Sequence, residues 1–252
     1  MLRIFMSFYL MLLSSICIAD SITLAAASDL KFAMDEIINS FEKKYPNRKV
    51  NVVYGSSGKL LNQIIYRAPF DLYFSADISY PQLLEKRGNT GSKVFPYAIG
   101  RLVLWSHSKA LLGTSFDTTH FLQNHRIAIA SPKHAPYGIK AKQVLENARL
   151  WNILNNQLVY GESVSHAAQF VMSEQVEFGI VALSLALSPS MSESGDYVLI
   201  PEHQHDPLLQ GFVITKYGAN KTLAQLFANY MFEASTIRIL DKYGFKRTNL
   251  SN

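Results

Sequence analysis

The stretch SITLAAASDLKFAMDEIINSFEKKYP, residues 21–46, decides how the rest of the chain is read. Residues 22–27 are a nearly continuous apolar run, the pattern of a strand buried on both faces. After Ser28-Asp29 the spacing changes. Leu30, Ala33, Met34, Ile37, Ile38 and Phe41 recur at intervals of three and four, which predicts an amphipathic helix, and Tyr45-Pro46 ends it. Strand and helix therefore meet at Ser28, as at the opening of a βαβ unit.

Working outward, the same unit recurs. Residues 50–54 read as a strand, Gly55-Ser56-Ser57-Gly58 as a tight connection, and residues 60–67 as a helix with Leu61, Ile64 and Ile65 turned inward. A strand at 71–75 and a helix at 80–87 closed by Gly88 follow. The run Tyr97-Ala98-Ile99-Gly100-Arg101-Leu102-Val103-Leu104-Trp105 is too long for one strand of a small lobe and reads as a crossing between two lobes. Strands at 127–130, 158–160, 178–183 and 197–200 alternate with helices at 139–148 and 164–173, while residues 188–195 look less ordered. Residues 212–215 look like a second crossing, ahead of helices at 223–232 and 235–243. The predicted fold is α/β and two-lobed, each lobe a mostly parallel sheet flanked by helices, with two crossing strands and hinges near Gly100 and Gly211. The first lobe comprises residues 20–100 and 210–252, and the second, residues 101–209, is inserted.

Bulk properties narrow the function. The 252 residues, 48% hydrophobic and 17% charged, belong to a folded chain long enough for a substantial core. Arg3 followed by the uncharged run 4–18 and a small-x-small site at Cys17-Ile18-Ala19 predicts a signal peptide over residues 1–19, with export to a bacterial periplasm or cell surface. The run is short for a membrane anchor, and bulky Ile16 argues against lipidation of Cys17. Cys17 is the single cysteine and would leave with the signal, so neither disulfides nor thiolate metal sites are expected in the mature protein. The net charge of +5 is modest, and no stripe of basic and aromatic residues suggests a nucleic acid partner.

Four strand-to-helix junctions carry small or hydroxyl residues: Ala27-Ser28-Asp29, Gly55-Ser56-Ser57-Gly58, Ala135-Pro136-Tyr137-Gly138 and Glu162-Ser163-Val164-Ser165. Each helix start offers unpaired N–H donors and the positive end of the helix dipole, which together bind an anion without a full counter-charge. Taken singly, such junctions are ordinary N-caps and turns. Their recurrence in both lobes points to an anion held in the cleft, where ligands of open α/β sheets sit. About seven neutral donors, at roughly 1.5–3 kcal/mol for each hydrogen bond to a charged group, would offset much of a dianion's desolvation.

The chain resembles the periplasmic molybdate-binding proteins of ABC transporters. The resemblance is carried by Ala25-Ala26-Ala27-Ser28, Gly55-Ser56-Ser57-Gly58, the run from Ala68-Pro69-Phe70-Asp71 to Ala76-Asp77, the crossing around Tyr97-Ala98-Ile99-Gly100-Arg101, Ala135-Pro136-Tyr137-Gly138 and Gly179-Ile180-Val181-Ala182-Leu183. It implies a hinge-closing, non-enzymatic, monomeric receptor of the type II periplasmic-binding fold. Such a receptor binds molybdate or tungstate, needs no cofactor, and delivers its cargo to a membrane permease. It also implies Ser28 and Ser57 as ligands from the first lobe, Tyr137 and Val164 from the second, and a backbone contribution from Asp29. Many members have a tyrosine where this chain has Ala182, and the phenol of Tyr137 is the expected substitute. Asp29 is unusual beside an anion. Its carboxylate either stabilises the first helical turn or accepts a hydrogen bond from a protonated anion such as hydrogen phosphate.

Three other readings compete. Phosphate or sulfate would use the same donors, since no sequence pattern measures a cavity. An exported serine hydrolase would need Ser28, Ser57 or Ser163 beside one of seven histidines, yet there is no Gly-x-Ser-x-Gly elbow, and the one metal-type pairing, His203-x-His205, falls in a probable turn. A ferric receptor would want clustered tyrosines, whereas the thirteen here are scattered along the chain.

Overall fold

The computed structural model describes residues 20–112 and 125–248. The expected signal segment 1–19 with Cys17, and also His120, lie outside the described residues.

Two five-stranded sheets have been built from the alternation seen in the sequence. The first unit runs β1 (Asp20–Ala27), a 3-10 turn (Ser28–Leu30), α1 (Lys31–Lys44), β2 (Arg48–Gly55), α2 (Ser57–Ile65), β3 (Leu72–Ser75), α3 (Ser79–Lys86) and β4 (Phe95–Gly100). The chain then enters β5 (Leu102–Ser106), α4 (Lys109–Leu112), β6 (Ile127–Ala130), α5 (Pro136–Asn147), α6 (Trp151–Leu154) and β7 (Leu158–Gly161). The second sheet is completed through α7 (Val164–Met172), β8 (Phe178–Ala182), α8 (Leu183–Ala186), α9 (Pro189–Ser194) and β9 (Asp196–Leu199). Strand β10 (Leu208–Ile214) returns to the first sheet, and α10 (Thr222–Tyr230) and α11 (Ala234–Lys242) close it.

The sheets have the orders β2-β1-β3-β10-β4 and β7-β6-β8-β5-β9. In each, four strands run the same way and the fifth, arriving from the other half of the chain, runs antiparallel between two of them. Side-chain alternation along the first sheet divides two cores. Ile22, Leu24, Ala26, Leu72, Phe74, Phe212 and Ile214 face α1 and the C-terminal helices, while Ala25, Tyr73 and Val213 face α2 and α3. The rings of Phe41 and Phe227 meet edge-on at 5.1 Å, which fastens the C-terminal helices to α1.

Residues 97–105 cross between the sheets, as two strands rather than one: the ladder breaks at Arg101, β4 pairing with β10 in the first sheet and β5 with β8 and β9 in the second. Two local expectations change. Residues 212–215 are not a crossing, because Phe212 and Ile214 pair with Phe74 and Leu72 inside the first sheet. The return between sheets is the irregular segment 200–207, which contains a 3-10 turn at Glu202–Gln204. An apolar run buried on both faces looks the same whether it ends in one sheet or passes to another. Finally, residues 189–194 are helical, with Pro189 at the first position and only Met191 buried. One inward residue in a serine-rich segment leaves no periodicity to read.

Candidate functional site

All four junctions open on one small cavity, partly open to solvent, lined by Ala27, Ser28, Asp29, Gly55, Ser56, Ser57, Ala76, Ala135, Pro136, Tyr137 and Val164. The five residues singled out from sequence, Ser28, Asp29, Ser57, Tyr137 and Val164, share its wall and are nearly fully buried. No lysine or arginine lines it. The cavity sits at the carboxyl ends of β1, β2, β6 and β7, where each strand hands over to a helix.

The geometry leaves donors free. Ser57 Oγ accepts the Ala76 N–H at 3.0 Å and its backbone carbonyl accepts the Tyr73 hydroxyl at 2.7 Å, and among the described residues the Ser57 hydroxyl proton has no acceptor. Ser28 Oγ likewise accepts the Ser165 N–H at 3.3 Å. Tyr137 and Val164 stand in the first turns of α5 and α7, where an amide has no acceptor within its own helix. Pro136 starts α5 at the position where a missing N–H costs nothing, and Ser163 caps α7 by accepting the His166 N–H at 3.3 Å.

Behind the cavity lies a buried polar cluster. The Tyr97 hydroxyl donates to Gln210 Oε1 at 2.5 Å, and Gln210 Nε2 donates to Asp29 Oδ2 at 2.6 Å and, more distantly, to the Tyr137 hydroxyl at 3.4 Å. Asp29 Oδ1 is buried without a hydrogen-bond partner. Burial pushes the Asp29 carboxyl from 3.8 up to about 6, against the opposing effects of Gln210, Tyr137 and the backbone amides of Asp29 and Leu30. Burial, and then the neighbouring Asp29, holds the Tyr97 and Tyr137 phenols well above their usual range. The Tyr137 phenol is thus engaged with this cluster. A Cβ on Gly100 would lie 2.3 Å from its oxygen, so only glycine lets β4 pass so close.

The two halves touch around the cavity. Ser165 Oγ donates to Ser28 O at 2.8 Å, Ser184 Oγ to Asp29 O at 2.7 Å, and the Gly58 N–H to His134 O at 2.9 Å. A Cβ on Gly58 would meet that carbonyl at 2.6 Å, so the glycine permits the approach. Lys59 and Glu162 pair across the rim at 2.7 Å. Ser56 Oγ and His134 Nδ1 are 3.0 Å apart, and burial followed by the charge of Lys59 keeps this imidazole below its ordinary pKa. Among the described residues no carboxylate bonds His134, so the pair lacks the orienting third group of a nucleophilic triad.

Sequence reasoning gave no role to Gln210, Tyr97 or Ser184, and Ser165 stood there only as part of the fourth junction. Gln210 did leave a signal, as a lone amide inside the apolar run Leu208–Ile214 that is 0% exposed in the structure. The tyrosines scattered in sequence include two, Tyr97 and Tyr137, that converge on Asp29. Among the described residues no group of three or more histidine, cysteine, aspartate or glutamate side chains is arranged for a metal ion, and no helix is long and apolar enough to cross a membrane.

Comparison with known proteins gives a consistent picture. A family model described as bacterial extracellular solute-binding protein matches residues 22–246. A molybdate-binding protein of Azotobacter vinelandii is 33% identical over 229 residues, covering 90% of this chain and 90% of that protein. One of Rhodobacter capsulatus is 31% identical, covering 90% and 88%. The solved periplasmic molybdate-binding protein of Azotobacter vinelandii superposes with a TM-score of 0.84 at 29% identity, covering 90% of this chain and 100% of that one.

Proposed function

The chain belongs to the bacterial extracellular solute-binding proteins, and from that premise we propose that it is a periplasmic receptor for molybdate or tungstate. The observation that carries the reading is the convergence of four helix starts on a cavity without a cationic side chain. A tetrahedral dianion there accepts hydrogen bonds from the Ser28 and Ser57 hydroxyls and from first-turn amides, including those of Tyr137 and Val164. Asp29 adds a less direct contribution through its backbone. Fixed dipoles aimed at the guest replace its water shell, which stabilises it without the reorganisation that mobile charged side chains demand.

In this reading residues 20–100 and 210–252 act as one lobe and residues 101–209 as the other, with hinges at the two connections between the sheets, at Gly100-Arg101 and in the segment 200–207 rather than at Gly211, which lies inside the first sheet. The anion first meets Ser28 and Ser57 on one lobe. Closure then brings Tyr137 and Val164 from the other, and the contacts from Gly58 to His134 and from Ser165 to Ser28 seal the rim. A closed monomer, freed of residues 1–19 on export, is the form that an ABC permease would recognise, since it differs in shape from the empty one. The receptor needs no cofactor and performs no turnover.

Calorimetry with molybdate, tungstate, sulfate and phosphate tests the proposal. Molybdate and tungstate, with their longer bonds to oxygen, should bind with one-to-one stoichiometry and much more tightly than the two smaller anions. Preference for sulfate or phosphate, or no heat with any of the four, would overturn it.

A further inference from the structure

We propose that Asp29 takes up a proton when the anion binds and, as a neutral carboxylic acid, donates a hydrogen bond from Oδ1 to an anion oxygen. It thereby selects fully ionised tetrahedral anions over those that carry a proton of their own. The inference rests on the reading of the cavity as an oxyanion site.

The hydrogen-bond polarity of the cluster sets where that proton goes. Tyr97 donates to Gln210 Oε1, which turns the amide NH2 toward Asp29, and Oδ2 is therefore an acceptor. Oδ1 is the oxygen left over: it is buried and forms no hydrogen bond of good geometry, although the Tyr137 phenol and the amides of Asp29 and Leu30 lie near the carboxyl, and it belongs to a residue that lines the cavity. A buried acceptor beside a doubly negative guest would be repelled, whereas the same oxygen carrying a proton supplies a further neutral donor.

No neighbour neutralises the carboxylate instead. On α1, Lys31 pairs with Asp35 at 3.0 Å. On α2, Lys59 pairs with Glu162. On α7, His166 Nδ1 faces the Glu162 N–H at 3.3 Å. On α5, Lys140 pairs with Asp206 and Lys142 with Glu146. The ionisable side chains directed at Asp29 are the phenols of Tyr97 on β4 and Tyr137 on α5, both protonated; α8 and β10 carry no ionisable side chain.

Burial has already brought the carboxyl to about 6 in the absence of an anion. A dianion raises it further, so near neutral pH the group is largely ionised in the free protein and protonated in the complex, the proton coming from solvent. Because the complex binds more protons than the free protein, affinity falls as pH rises above about 6. The limiting slope is about tenfold per pH unit, sustained up to the carboxyl's value in the complex.

The test is calorimetric titration of the full protein with sodium molybdate, in buffers of different ionisation enthalpy, from about pH 6 upward. Wild type should take up close to one proton per anion and lose affinity as pH rises. Asp29→Asn should bind molybdate with no proton uptake and a flat pH profile. Infrared difference spectra of wild type should show a carboxylate band replaced by a protonated carboxyl band on binding, a readout that needs no variant.

Tight molybdate binding with neither proton uptake nor the new band would overturn the inference while leaving the receptor reading intact. So would proton uptake that persists in Asp29→Asn. Tighter binding of phosphate, lost in Asp29→Asn, would show a charged Asp29 accepting from hydrogen phosphate, and would overturn both. Failure of every oxyanion to bind would end both together.

Discussion

The two sheets share one strand order but arm the cavity differently. The first half presents Ser28 and Ser57, whose hydroxyl oxygens are tied to backbone N–H groups so that their protons remain available. The second half presents Tyr137 and Val164, where the phenol is drawn into the buried polar cluster around Gln210 and valine has only its amide. One side therefore offers the cavity side-chain donors and the other main-chain ones. A main-chain donor cannot be lost by ordinary substitution, so the second half's contribution to binding is largely hidden from alanine scanning.

This contrast can be broken experimentally. The largest effect is expected for Ser57→Ala, which removes a proposed donor to the anion and also leaves the buried Ala76 N–H without its acceptor. Affinity for molybdate should fall by about 10- to 100-fold, and stability in urea should drop by about 1–3 kcal/mol. A loss of affinity with unchanged stability would mean that Ala76 finds another partner.

Val164→Pro probes the second half. Proline is tolerated at the first position of a helix, and the preceding Ser163 already has the extended conformation (φ −143, ψ 170) that a following proline demands. Affinity should fall by about tenfold or more through the lost N–H, with stability changed by less than about 0.5 kcal/mol. Unchanged affinity would remove the main chain of α7 from the binding set.

The smallest effect belongs to the rim. Lys59→Gln deletes an ion pair whose partners are 44% and 70% exposed, so the change in affinity should be slight at physiological salt and visible only at low ionic strength. A large, salt-independent loss would make Lys59 part of the cavity rather than of its edge.

Much of the site was legible from sequence because helix starts are local events. The step from the apolar run ending at Ala27 to the three-and-four spacing from Leu30 marks a junction within a few residues, and the same applies at Ser57, Tyr137 and Val164. The cluster behind them was not legible in this way. Gln210 lies 181 positions from Asp29, and nothing in the composition of either segment announces the other. The misplaced return crossing has the same origin, since Phe212 and Ile214 are equally apolar in either sheet and only pairing with Phe74 and Leu72 assigns them.

What the sequence alone determined about this protein is its alternating architecture and the chemistry of its four helix starts, because apolar periodicity and capping act over one or two turns of chain. Tertiary structure decided that those starts surround a single cavity, that Tyr137 turns its phenol toward Gln210, and that one oxygen of Asp29 is left buried and unpaired. Those facts depend on which distant strands become neighbours, and that choice comes from the packing of whole sheets and helices rather than from any one segment's preference.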